Sequence, residues 1–66
     1  MALRKGEYVI VEVNYPRSPH LNGIWEGIVT EVGCYRSGYA YFKLNTAKYS
    51  FPNSSKYIKV LQRRRV

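Results

Sequence analysis

The stretch EYVIVEV, Glu7–Val13, sets Val9, Val11 and Val13 on one parity and Tyr8, Ile10 and Glu12 on the other. β-Branched side chains at a period of two suit a pleated strand with one face buried, and they suit a helix poorly. The period returns in IWEGIVTEVG, YAYFKL and KYIKVL, and nowhere do apolar residues recur at helical spacing over three turns. The chain is therefore expected to be all-β, with the valines of its first strand facing the core.

Between these strands the turn chemistry sets the organisation. NYPRSPHLNG, Asn14–Gly23, carries two prolines, a serine, two asparagines and a glycine, which predicts a long ordered loop. The second strand follows, and Gly27 within it predicts a bulge or a close backbone approach. CYRSG is a hairpin-type connection into a third strand, Tyr39–Leu44, with Ala40, Phe42 and Leu44 inward and Tyr39, Tyr41 and Lys43 outward. A turn at Asn45 and Thr46 leads to a short fourth strand, and PNSS predicts a turn or a single 3₁₀ turn before the last strand, whose Ile58 and Val60 point inward. This gives one five-stranded domain over residues 1–62, with 63–66 as a basic C-terminal tail.

Sixty-six residues lie near the lower limit at which a hydrophobic core stabilises a fold by itself. Cys34 is the single cysteine and His20 the single histidine, so neither an internal disulfide nor a zinc site is expected, and no cofactor is implied. No apolar run has the length of a membrane span, and a reducing, cytoplasmic setting is expected, nucleoid-associated if the partner is DNA. His20 has no acid close in sequence and Cys34 no histidine base, so an enzyme is not expected. An enzyme assembled around a pore shared by several copies is a remaining arrangement.

The charge is +7 and one-sided. Glu7, Glu12, Glu26 and Glu31 all fall in residues 1–31, with Arg4, Lys5 and Arg17, whereas residues 32–66 hold eight basic side chains and no acid. Such a field attracts nucleic acid, acidic lipid surfaces or acidic proteins. The glutamates alternate along the first two strands, where they are expected to solubilise the outer face and to pair with basic residues of other strands.

The order of strands and loops resembles the SH3-like barrel, the five-stranded roll shared by SH3, KOW and Tudor modules, and the likeness runs from Lys5 to about Leu61. KGEYVIVEV is similar to the GxxVxV start of KOW modules, and NGIWEGIVTEV to their GxxGxVxxV, with Gly23 and Gly27 four apart where that pattern has three. The Pro-containing first loop followed by NG also resembles the peripheral SH3-like subunit of photosystem I, which implies that such a fold can serve protein docking alone. GYAYFKL is similar to the aromatic RNP1 pattern of RRM and cold-shock domains at Gly38, Tyr39, Ala40 and Tyr41. The chain is too short for the helices of an RRM, so that likeness implies only alternating aromatics on an open sheet face.

The candidate nucleic-acid site follows from this aromatic-basic pattern. Tyr39 and Tyr41 are either ordinary cover for a half-exposed sheet or rings on which bases stack, with Tyr35 and Trp25 nearby. Trp25 fits a core ring as well as a ligand-facing one. Arg36, Lys43, Lys48, Lys56, Lys59, Arg63, Arg64 and Arg65 would contact phosphates, the last three from a flexible tail. The expected function is a non-enzymatic nucleic-acid-binding module, duplex DNA slightly ahead of RNA. The alternative is a protein-interaction module in which the same tyrosines and the 15–23 loop dock on an acidic protein.

Overall fold

The computed structural model describes residues 3–65. Five antiparallel strands, β1 (Glu7–Val13), β2 (Gly23–Cys34), β3 (Ala40–Leu44), β4 (Ser50–Pro52) and β5 (Ile58–Arg65), form one sheet in the order β4-β3-β2-β1-β5. β2 is long enough to serve two ladders. Its first part pairs β1, with Val9 opposite Gly27 and Val11 opposite Trp25, and its second part pairs β3, with Val29 opposite Leu44. No ladder joins β4 to β5 among the described residues, so the curled sheet stays open there.

One face of every strand feeds a single core. Val9, Val11 and Val13 of β1 meet Val29, Phe42, Leu44, Phe51 and Ile58, with Leu3 and Leu21 closing the ends. A sheet whose five inner faces share one cluster must wrap around it, and the right-handed strand twist permits this without a second layer. Phe42 and Phe51, both fully buried, stack at 5.4 Å and are the largest of the fully buried side chains among the described residues.

Two bulges redirect the parities expected from sequence. Thr30 is an extra residue in β2 between Val29↔Leu44 and Glu31↔Lys43, so Val29 is buried while Glu31 is exposed, although the two are two residues apart. Leu61 is the extra residue in β5 between Val11↔Val60 and Ile10↔Gln62. Bulges of this kind add local twist and exchange the faces of everything beyond them. Gly27 itself is not bulged. A Cβ there would stand 2.5 Å from Asn45 Oδ1, so its role is the close approach of Asn45, whose Oδ1 accepts the Ile28 N–H at 2.9 Å.

The loops differ from expectation in three respects. The assigned 3₁₀ turn lies at Pro19–Leu21 in the first loop, where it buries Leu21, whereas Ser54–Tyr57 before β5 is a hydrogen-bonded turn closed by Tyr57 N–H to Ser54 O at 3.0 Å. β5 continues through Arg65, so Arg63, Arg64 and Arg65 are strand residues paired with β1 rather than a tail; Val66 lies outside the described residues. Glu7 does not solubilise the outer face, because it shares the inward parity of the valines and is only 8 % exposed.

Candidate functional site

Tyrosines from four separate segments meet in one line. Tyr35 stacks on Tyr41 at 4.7 Å and on Tyr39 at 5.9 Å; Tyr39 lies 6.5 Å from Tyr15, and Tyr15 meets Tyr57 edge-on at 4.8 Å. The tight turn Tyr35–Gly38 folds Tyr35 back over β3, held by Gly38 N–H to Tyr35 O and Tyr35 N–H to Tyr39 O, both 2.9 Å. Gly38 takes φ +88°, which side-chain-bearing residues rarely adopt. The first loop supplies Tyr15, fixed by its own N–H to Asn22 Oδ1 at 2.7 Å, and the Ser54–Tyr57 turn supplies Tyr57.

Tyr41 is laid down by a glycine. A Cβ on Gly33, its partner across the ladder, would stand 2.6–2.7 Å from the Tyr41 ring, so the ring crosses β2 only because residue 33 has no side chain. Its hydroxyl donates to Glu31 Oε2 at 2.6 Å, and this bond holds the phenol pKa above its ordinary value, aided by lesser desolvation. One face of Tyr41 is thereby spent on Gly33 while Tyr35 stacks against the ring. Tyr39 is half-buried, and burial first, then a hydrogen bond with Tyr15, raises its pKa far above the phenol range. Tyr35 is the open member of the line at 50 % exposure.

The cations divide among this strip and two other places. Arg36 sits beside Tyr35 at the hairpin turn, Lys43 continues the outer face of β3 opposite Glu31, and Lys56 Nζ lies 5.5 Å over the Tyr57 ring. Lys48 is exposed in the β3–β4 connection, and Lys59, opposite Glu12 in the β1–β5 ladder, lines a groove with Tyr57 and Lys56. Arg63 is turned inward by the Leu61 bulge and forms a two-bonded pair with Glu7, Nε to Oε2 and Nη2 to Oε1, each 2.8 Å. Arg4 N–H adds a third bond to Glu7 at 2.7 Å, and these partners, Arg63 foremost, hold the Glu7 carboxyl below its usual pKa against the opposing effect of burial. Arg64 lies 4.7 Å over the Tyr8 ring, whose hydroxyl donates to Glu26, and Arg65 stands opposite Glu7.

Trp25 belongs to the core side. Its ring packs 5.1 Å from Phe51, and its Nε1–H donates to Leu21 O at 2.8 Å, which satisfies the indole and ties the 3₁₀ turn to β2. Of the sequence-expected aromatics, then, Tyr35, Tyr39 and Tyr41 converge and Trp25 does not. Tyr15 and Tyr57 are the members that sequence reasoning missed, and the available signal was an aromatic residue within or beside a turn, where bulk has no packing duty along a strand.

Among the described residues no three His, Cys, Asp or Glu side chains are placed to hold a metal, and no helix is long and apolar enough to cross a membrane. No protein-family model, curated protein or solved structure matches the chain.

Proposed function

We propose that this chain is a non-enzymatic nucleic-acid-binding module on an SH3-like barrel of the KOW and Tudor kind, with DNA as its first partner. The observation that carries the reading is the line of five tyrosines bordered by Arg36, Lys43 and Lys56. Tyr35, half-exposed and held parallel to its neighbours within 24°, is the ring on which a base stacks. Stacking on an aromatic side chain contributes about 1–3 kcal/mol per base, and cations spaced along it hold the phosphates. Glu31, beside Tyr41, accepts a hydrogen bond from its hydroxyl and lies opposite Lys43, which reduces its repulsion of a polyanion.

The test is titration with fluorescent duplex DNA, single-stranded DNA and RNA at two salt concentrations. The reading requires binding that falls steeply with salt and weakens at least about five-fold in Tyr35→Ala, with the melting temperature nearly unchanged. Absence of binding at low salt overturns it.

A second reading, a protein-docking module, is favoured by one feature. A surface groove runs between Tyr39 and Tyr57 over Ala40, with Asn53, Ser54 and Ser55 along its side, and this combination of ring walls and polar groups suits an extended peptide. Retention of one acidic protein after nuclease treatment, lost in Tyr57→Ala, would favour it.

A further inference from the structure

The two edges of the sheet are unlike. β4 is three residues long and ends on buried Pro52, which has no N–H to offer, so it makes a poor template for another strand. β5 is eight residues long and laddered to β1 on one side, and among the described residues no strand pairs with its other side. Residues 61–65 are all exposed, with Leu61 showing 46 % of its surface. A long edge strand presents a row of N–H and C=O groups along its outer side and accepts an added strand unless something forbids it.

Charge decides what can be added. Lys59, Arg64 and Arg65 stand on β5, and Arg4 and Lys5 line a groove with Arg65 at its end. The acid of that groove, Glu7, is already occupied by Arg63 and the Arg4 N–H. A second copy of the chain is disfavoured, since antiparallel pairing of two β5 strands over their length would set Lys59 opposite Arg64 twice along the seam, and like charges facing across a ladder are destabilising. We propose that the outer edge of β5 takes an acidic extended segment of another protein as a sixth strand, its carboxylates meeting Lys59 and Arg64, which stand opposite Glu12 and Tyr8 on one face of the β1–β5 ladder. This surface adjoins the tyrosine strip where Lys59 and Tyr57 line one groove, and the proposal does not depend on what the strip binds.

The test uses the full isotope-labelled chain and a peptide of about eight residues alternating Glu with Val, the length of β5. Three controls accompany it: the same peptide with alternate backbone nitrogens methylated, a Lys/Val version, and a short duplex DNA. The Glu/Val peptide should shift amides of residues 59–65 and slow their hydrogen exchange. The methylated twin, with equal charge and no complete ladder, should bind at least about ten-fold more weakly, the Lys/Val version should not bind, and Arg64→Glu should weaken binding in the folded protein. Equal affinity for the methylated twin, shifts centred on Tyr15, Tyr35 and Tyr57, displacement by DNA from the same amides, or no binding would each overturn the proposal. So would a dimer joined through β5 without peptide.

Discussion

Along β2, β3 and β4 the protein is aromatic on both faces: Phe42 and Phe51 stack inside with Trp25 beside them, and Tyr41, Tyr35 and Tyr39 pack outside. Along β1 and β5 the inner face is Val9, Val11 and Val13, and the strand end is closed by Glu7 with Arg63. On its outer face the first region shares its packing among several tyrosine contacts, while its inner face rests on Phe42 and Phe51. The second concentrates its closure on one carboxylate that accepts three hydrogen bonds. Redundancy on one side and dependence on a single group on the other should show in how each region responds to substitution.

The largest effect is expected inside the aromatic half. Phe42→Ala removes a fully buried ring that stacks on Phe51, and a loss of about 3–5 kcal/mol is comparable with the whole stability of so small a domain. Denaturant titration should find the variant largely unfolded. If it remains folded, the redundancy extends into the core and the contrast between the halves is larger still.

Glu7→Ala comes next, with an expected drop in melting temperature of roughly 5–15 °C, because it removes the acceptor of three hydrogen bonds, two from Arg63 and one from the Arg4 N–H. The stacked tyrosines should keep their near-ultraviolet circular dichroism below that transition; its loss would show that the regions are not independent. The same group sets a pH dependence. Its carboxyl pKa is lowered from 4.5 on folding, so the stabilisation is fully present above the unfolded value and fades as the pH falls through the folded one. Wild type should lose stability below about pH 4.5 more steeply than Glu7→Gln, and identical slopes would remove Glu7 from the account.

Gly33→Ala tests the laying-down of Tyr41. The new methyl would lie 2.6 Å from the hydroxyl oxygen, so the ring must lift away from β2, at a cost of about 1–3 kcal/mol. Its bond to Glu31 and its stack on Tyr35 should weaken together, visible as a fall in the raised Tyr41 pKa by spectrophotometric titration. The smallest effect is expected for Arg64→Ala, where the exposed cation over the half-buried Tyr8 ring is lost and stability should change by less than about 1 kcal/mol. A larger loss would mean that the β1–β5 region rests on more than Glu7.

The strand pattern was legible because parity is a local property: Val9, Val11, Val13, Phe42, Leu44 and Ile58 are all buried as the alternation requires. Parity failed where a bulge reset it. Nothing in TEV or VLQ announces that Thr30 and Leu61 stand outside the ladder count, and the second bulge turns Arg63 inward toward Glu7. The arginines looked like a solvated tail because charge alone does not reveal a strand partner, and Glu7, already on the valine parity, lacked only its cation. At the tyrosine strip, Tyr35, Tyr39 and Tyr41 were legible as neighbours within one hairpin. Tyr15 and Tyr57 join them through loop closure over 42 residues, which no local pattern encodes. Trp25 had two readings from sequence, and the Leu21 carbonyl that its indole N–H reaches decides for the core.

The pairing of β1 on both sides has a consequence for a chain emerging from the ribosome. β2 and β3 form a hairpin through a short turn and can close as soon as both have been synthesised. β1 can pair β2 early, but its other edge waits for β5, and the Glu7–Arg63 contact spans 56 positions. Until β5 has been synthesised the nascent domain therefore exposes an unsealed valine strand, and β5 acts as the latch, the point at which a stalled or clipped chain would be most prone to associate with its neighbours.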